Sequence, residues 1–298
     1  MKELLVSAVI TTHRREPQIV ERALKSILNQ TYKDIEVFVV DDSPNDYEYR
    51  DAVATMVQSY AKMGVVYIPH DTCKGACAAR NTGLAAAKGE FIGFLDDDDE
   101  WLPEKIEEQL KGFKNENIAL VYCAIKIIYE DTGEIKTALM PNIKGYVYNE
   151  LIVENFIGST SFPLIRTKVL KEIGGFDVLM QSVQDYDVWL RIAEKYEVNF
   201  VENPLVLYHF HSGEQISKNP LKRVLGLERL LFKNQKGYKN NKKAYVNTYN
   251  SLIIWYSKAG LFSKAILSWI KILFKSPLAV KINFYNLYVI LISWLRKK

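Results

Sequence analysis

The chain has 298 residues, of which 48% are hydrophobic and 25% charged, the balance of an ordinary folded globular protein. A net charge of +4 and a pI near 8.7 are too mild for a nucleic-acid-binding protein, although positive charge concentrates toward the C-terminus. Three cysteines, Cys73, Cys77 and Cys123, form an odd set without metal-ligand spacing and call for no oxidising compartment, and Met1-Lys2-Glu3 does not open a signal peptide.

In chain order, Leu4 to Thr11 is a short apolar, β-branched run that reads as a buried strand. Pro17 opens a helix in which Ile19, Val20, Ala23, Leu24, Ile27 and Leu28 recur at helical spacing. Ile35 to Val40 and Val65 to Ile68 read as further buried strands. A helix of small residues follows, Ala76 to Ala87, closed by Gly89. Phe91 to Leu95 is the next strand, Pro103 starts another helix, and Ala119 to Ile128 is again strand-like. From about 145 to 217 the pattern is mixed and loop-rich. The lysine-rich stretch 233–243 reads as a linker, and everything from Tyr245 as helical, apolar and aromatic.

Alternating strands and helices imply an α/β fold, a mostly parallel sheet with helices on both faces. Such sheets bind ligands outside the carboxyl ends of their strands. Three polar clusters fall there: Thr11 to Arg15, Asp41-Asp42-Ser43, and Asp96 to Asp99. Packed carboxylates repel one another unless a cation joins them, and oxygen ligands without neighbouring His or Cys suit Mg²⁺ or Mn²⁺ beside substrate phosphates. The alternative is a solvated acidic loop. No G-x-G-x-x-G follows the first strand, which disfavours a dinucleotide site.

Six stretches, in order and spacing, carry a family resemblance. They are Val9-Ile10-Thr11-Thr12-His13-Arg14-Arg15, Ser26-Ile27-Leu28-Asn29-Gln30-Thr31-Tyr32, Val39-Val40-Asp41-Asp42-Ser43, Ala79-Arg80-Asn81-Thr82-Gly83, Phe94 to Trp101, and Gln184-Asp185-Tyr186-Asp187. Over roughly residues 4–217 the chain resembles the family 2 glycosyltransferases. The resemblance implies a GT-A fold, with a Rossmann-like nucleotide-binding half, that transfers a sugar from a nucleotide diphosphate sugar with inversion. It implies Asp98 as the metal ligand, with Asp96 and Asp97 facing ribose and sugar, and Mn²⁺ or Mg²⁺ as cofactor. Asp99 would be a supporting partner or a solvent-facing extra residue. Asp42 matches the acceptor of the uracil N–H, while Thr11 and His13 match positions that contact the base, His13 standing where the family more often has Tyr. Arg80 would reach phosphate or pair with the aspartates. Asp185 aligns with the base that takes the acceptor's proton, with Gln184 replacing the usual Glu. Asp187 and Arg191 read as structural ion-pair residues, Trp189 as core, His209 as packing and His211 as a phosphate or metal contact. Gly174 and Gly175 read as a turn.

The implied organisation is a catalytic domain over 1–217, a basic linker or helix over 218–244, and a helical region over 245–298. Between Lys281 and Arg296 lie 14 uncharged residues, short of the roughly 20 needed to span a bilayer. Aromatic residues flanked by lysines suit an interfacial helix on anionic lipid; the other uses of such a tail are an intramolecular bundle or a homodimer contact. The expected partners are therefore a UDP-sugar donor, a glycan or lipid-linked acceptor and a membrane surface, with no nucleic acid, at the cytoplasmic face of the cell membrane. Two other readings are a nucleotidyltransferase, for which Arg14-Arg15 half supply the phosphate grip, and a non-catalytic scaffold, against which Asp98 and Asp185 argue.

Overall fold

The computed structural model describes residues 4–138, 140–210, 219–277 and 280–295. Strands and helices first alternate: β1 (Val6–Thr12), α1 (Pro17–Leu28), β2 (Ile35–Asp41), α2 (Arg50–Ser59), β3 (Val65–Pro69), α3 (Ala76–Ala86) and β4 (Phe91–Asp96). A mixed region follows, with β5 (Glu100–Trp101), α4 (Lys105–Leu110), β6 (Ile118–Tyr129), β7 (Glu134–Ala138), α5 (Tyr148–Leu151), β8 (Leu164–Arg166), α6 (Thr167–Glu172), α7 (Gln184–Ala193) and β9 (Glu197–Phe210). Five helices follow among the described residues: α8 (Pro220–Lys233), α9 (Gln235–Asn240), α10 (Lys242–Ala259), α11 (Phe262–Lys275) and α12 (Val280–Leu295). These elements form two compact units, the first from 1–147, 156–178 and 188–212, the second from 148–155, 179–187 and 213–298.

The first unit holds a nine-stranded sheet of order β3-β2-β1-β4-β8-β6-β9-β5, with β7 on β6. β3, β2, β1 and β4 are mutually parallel. Val6, Ala8, Val9 and Ile10 of β1 are all fully buried, as strands covered on both faces must be, and this is why they read as an unbroken apolar run. The small residues of α3 have a packing cause. A Cβ on Gly83 would lie 2.3 Å from Val9 Cγ1, so only glycine lets the helix approach β1 this closely. α2 is absent from the pattern expected of the sequence because Val53 and Val57 are its only buried residues. β9 carries Pro204 in its interior, tolerated because its pairing with β6 shifts register on either side of Ala124, the partner of Pro204.

Register fixes the working edge. Thr11 pairs with Val40 of β2 and with Asp96 of β4, and Thr12 pairs with Asp41. The ends of β1, β2 and β4 therefore bring the three polar clusters to one carboxyl edge, as expected.

The second unit is helical. Leu227, Leu230, Leu252, Ile253, Ala265 and Ile272 are among its buried apolar residues. The lysine-rich stretch, for which the sequence left linker or helix open, is helical, lying at the end of α8, in α9 and at the start of α10. Asn219 and Asn241 cap α8 and α10 by accepting from the N–H groups of Lys222 and Ala244, and the lysines are good helix formers. Along α11 and α12 large apolar side chains face outward, including Phe274 (85% exposed), Phe284 (70%) and Tyr288. From Arg229 onward lie 14 of the 39 Lys and Arg residues and none of the 35 Asp and Glu, so the first 228 residues carry a net charge of −10. Among the described residues no helix is long and apolar enough to cross a membrane.

Candidate active site

β2 ends in two aspartates with different duties. Asp41 is fully buried and accepts from Ser43 N–H (2.8 Å) and the Tyr67 hydroxyl (2.7 Å), which makes it a fastening of the strand end. Asp42 accepts from the backbone N–H groups of Lys74 and Gly75 (2.7 Å each), from Cys73 Sγ (3.4 Å), and lies 2.7 Å from His70 Nδ1. Burial alone would raise the Asp42 carboxyl, but the Lys74 N–H, His70 and the Gly75 N–H together hold it below the usual range. It is thus an ionised, oriented acceptor. Above it, exposed His13 donates through Nδ1 to the Asp42 carbonyl (2.9 Å), and Arg14 N–H donates to Ser43 Oγ (2.9 Å). Arg14 takes φ 52°, a left-handed conformation uncommon for a side-chain-bearing residue.

At the end of β4 the chain turns, with Asp99 N–H donating to the Asp96 carbonyl (3.1 Å), so four consecutive carboxylates fan apart. Asp96 accepts from Arg80 Nη2 (2.7 Å), Ser159 Oγ (3.1 Å) and Thr160 Oγ1 (3.2 Å). Of the two roles open to Arg80, pairing with the aspartates is the one observed, and the guanidinium also lies over the Phe176 ring. Burial would raise Asp96, but Arg80 outweighs it and holds the carboxyl low. Asp97 accepts from Arg15 Nε (2.9 Å) and Asp98 from Arg15 Nη2 (2.6 Å). Burial pushes Asp97 up to about 6 against the pull of Arg15. Asp99 is buried, not solvent-facing, and accepts from Ser161 Oγ (2.6 Å) and from His209 N–H (3.3 Å). Burial, with Asp96 and Asp98 nearby, raises it well above an ordinary aspartate. Of the carboxylates at 97–99, Asp98 is the accessible one, its side chain 25% exposed.

An oxygen-only donor set fits a hard divalent cation, and one or two protein carboxylates are what Mg²⁺ takes when phosphates complete its shell. A second grouping was not visible in the sequence. His13, Asp42 and Cys73 bring one ligand atom each to within 4.8 Å of one another, a grouping separated by 60 residues of chain. Burial and the bond to Asp42 push the Cys73 thiol up, so it keeps its proton.

Asp185 lies in the second unit, in the first turn of α7, half-buried, following Val183 at φ 52°. β-branched valine is a rare occupant of the left-handed region, so the entry into this helix is strained. Burial lowers the neighbouring Arg223, and the charge of Asp185 partly restores it. Asp187 is fully buried with Lys233 Nζ at 2.6 Å, while Arg191 donates to the carbonyls of Ile173 and Gly175 (2.7 Å each). Those bonds secure the turn at Gly174 and Gly175, both at positive φ. Trp189 is fully buried and donates to the Gly158 carbonyl (2.9 Å). His209 is buried, its ring 2.8 Å from Glu100 and 2.5 Å from Glu130. His211 lies outside the described residues.

Residues 7–174 match the model of the family described as glycosyl transferase family 2. The chain is 32% identical over 224 residues to the putative colanic acid biosynthesis glycosyl transferase WcaA of Escherichia coli, covering 73% of this chain and 77% of that one. It is 30% identical over 225 residues to the Escherichia coli UDP-Glc:alpha-D-GlcNAc-diphosphoundecaprenol beta-1,3-glucosyltransferase WfgD, covering 75% and 84%. In fold it is similar to Staphylococcus aureus TarS, with TM-score 0.67 at 16% identity, over 98% of this chain but only 54% of that one. Against TarS 1–349 in complex with UDP-GlcNAc the TM-score is 0.61 at 17% identity, over 85% and 81%.

Proposed function

The chain belongs to glycosyl transferase family 2 and has its GT-A fold, and from that premise we propose that it moves a sugar, with inversion, from a UDP-sugar to a hydroxyl of a lipid-linked saccharide. The observation that carries this reading is the β1 register, which brings the ends of β2 and β4, and with them Asp42 and Asp98, to one sheet edge on either side of β1. WfgD is named for UDP-Glc and a diphosphoundecaprenol-linked sugar, and TarS 1–349 was solved with UDP-GlcNAc, which supports a uridine donor and a lipid-linked acceptor.

In this reading Asp42 accepts the uracil N–H, Thr11 and His13 flank the base, Asp96 and Asp97 face the ribose and sugar, and Arg80 holds Asp96 in place beside the phosphates. His211 is assigned to the diphosphate or the metal by the family resemblance alone. Asp98 would hold Mn²⁺ or Mg²⁺, which when bound offsets charge developing on the leaving diphosphate. Asp185 takes the proton of the acceptor hydroxyl as its oxygen bonds to the anomeric carbon and the bond to the diphosphate oxygen breaks. A placed base of this kind contributes about 10²–10⁴-fold. The outward apolar face of α11 and α12 and the wholly basic sequence beyond Glu228 support peripheral binding to anionic lipid at the cytoplasmic face of the membrane.

Calorimetric titration of UDP, CMP and GDP into the full chain with Mn²⁺, followed by UDP release from a panel of UDP-sugars, tests the reading. UDP should bind tightest and one UDP-sugar should hydrolyse fastest. Equal affinity for the three nucleotides would overturn the uridine assignment.

A further inference from the structure

Arg15 has no part in the transfer described above, yet it engages two carboxylates of the acidic turn at once. Its guanidinium forks across two carboxylates, Nε to Asp97 at 2.9 Å and Nη2 to Asp98 at 2.6 Å, with 28% of the side chain still open to solvent. The loop that delivers it is fastened from behind. His13 is bonded to the Asp42 carbonyl, Arg14 N–H to Ser43 Oγ, and Arg14 is held in the left-handed region immediately before Arg15. Backbone strain of this kind costs on the order of 1–3 kcal/mol and persists where the surroundings over-determine the conformation. Two residues on, Pro17 fixes the start of α1.

We propose that Arg15 is a resident counter-cation that competes with the divalent ion for Asp98 and releases it only when a nucleotide diphosphate arrives. The inference rests on the reading of Asp98 as the metal ligand. A guanidinium and a divalent cation on one carboxylate repel each other, so without nucleotide the ion must displace Arg15 and leave buried Asp97 without its counter-charge. A diphosphate changes the balance. It supplies oxygens to the ion and offers the guanidinium a new bidentate partner. Metal and nucleotide binding are then positively coupled, and the coupling is reciprocal. The arrangement also keeps the acidic turn neutralised between turnovers.

The test is Mn²⁺ binding to the full-length protein, followed by the electron paramagnetic resonance signal of free Mn²⁺, with and without UDP. In the wild type, UDP should tighten Mn²⁺ strongly. Arg15→Gln should bind Mn²⁺ without UDP roughly ten-fold tighter than wild type, and its Mn²⁺–UDP coupling should shrink by the same factor. Arg15→Lys, which keeps the charge but not the fork, should stay closer to wild type, and serves if Arg15→Gln fails to fold, since Mn²⁺ binding to it weaker than to wild type would overturn the proposal. Unchanged or weaker Mn²⁺ binding by Arg15→Gln, with wild type binding Mn²⁺ in the presence of UDP, would overturn this inference alone. No Mn²⁺ bound by wild type even at saturating UDP would overturn the metal reading of Asp98 together with it.

Discussion

His70 Nδ1 lies 2.7 Å from Asp42 Oδ1, with both side chains buried, and His70 Nε2 lies 2.9 Å from Thr82 Oγ1. The imidazole is a strut between α3 and the end of β2, and it fixes which way the Asp42 carboxylate faces. His70→Ala should leave the Lys74 and Gly75 N–H bonds but loosen that carboxylate. We expect UDP affinity to fall roughly ten-fold, or about 1.4 kcal/mol, with kcat at saturating donor little changed. Titration calorimetry together with a kcat and KM split checks this, and undiminished UDP affinity would demote His70 to packing.

Asp98→Ala should abolish Mn²⁺-dependent UDP binding and sugar transfer while leaving the fold intact, because the side chain stands at the rim of the sheet and its deletion opens no core cavity. Calorimetry with and without Mn²⁺ decides it. Wild-type, Mn²⁺-dependent affinity in the variant would move the cation elsewhere.

Asp185→Asn keeps the shape of the side chain and removes its basicity. Donor binding should persist while kcat with an authentic acceptor drops by about 10²–10⁴. Near-normal kcat would exclude Asp185 as the base, and Asp187, already buried against Lys233, is badly placed to replace it.

For the outward face of α11 and α12, Phe274→Glu combined with Phe284→Glu should weaken binding to phosphatidylserine-containing vesicles, and wild-type binding should fall as salt rises, since lysine attraction to anionic lipid is screened. Co-sedimentation measures both. If wild type ignores anionic vesicles at low salt, the exposed aromatics serve a protein contact instead.

Lys105 gives a pH test of the core. It is fully buried, donates to Gln109 Oε1 (2.6 Å) and stands over the Trp101 ring, and burial pushes it down to about 8 from 10.5. Between those values the unfolded chain holds a proton that the folded chain has released, so this group's contribution to stability rises with pH across that window. Relative to Lys105→Met, the wild type should gain up to about 3 kcal/mol from pH 8 to 10.5. Urea unfolding at several pH values measures the difference, and parallel pH profiles would rule it out.

How much of this was legible beforehand follows from where information resides in a chain. β1, β2 and β4 are buried on both faces, so their residues form unbroken apolar runs, and the polar clusters after them announce the working edge. The motif around Asp42 and Asp98 added roles. β8, three residues long, and α2, with two core-facing valines, lack the length or periodicity that a sequence reading needs. The second layer of the site was hidden for another reason. His70 reaches Asp42 across 28 residues, Arg15 reaches Asp97 across 82, and Ser161 reaches Asp99 across 62. Contacts of that span are created by register and loop geometry, and no local pattern encodes them.

The partition of charge has a practical consequence. An isoelectric point near 8.7 describes a chain whose first 228 residues are net acidic and whose last 70 contain no acid at all. Retention on ion-exchange resins should therefore not follow the average: at neutral pH and low salt the protein should be held by cationic and anionic matrices alike. Two molecules at high concentration also offer each other opposite charges, so turbidity at low ionic strength that clears on adding salt would be a property of the native chain and no sign of misfolding.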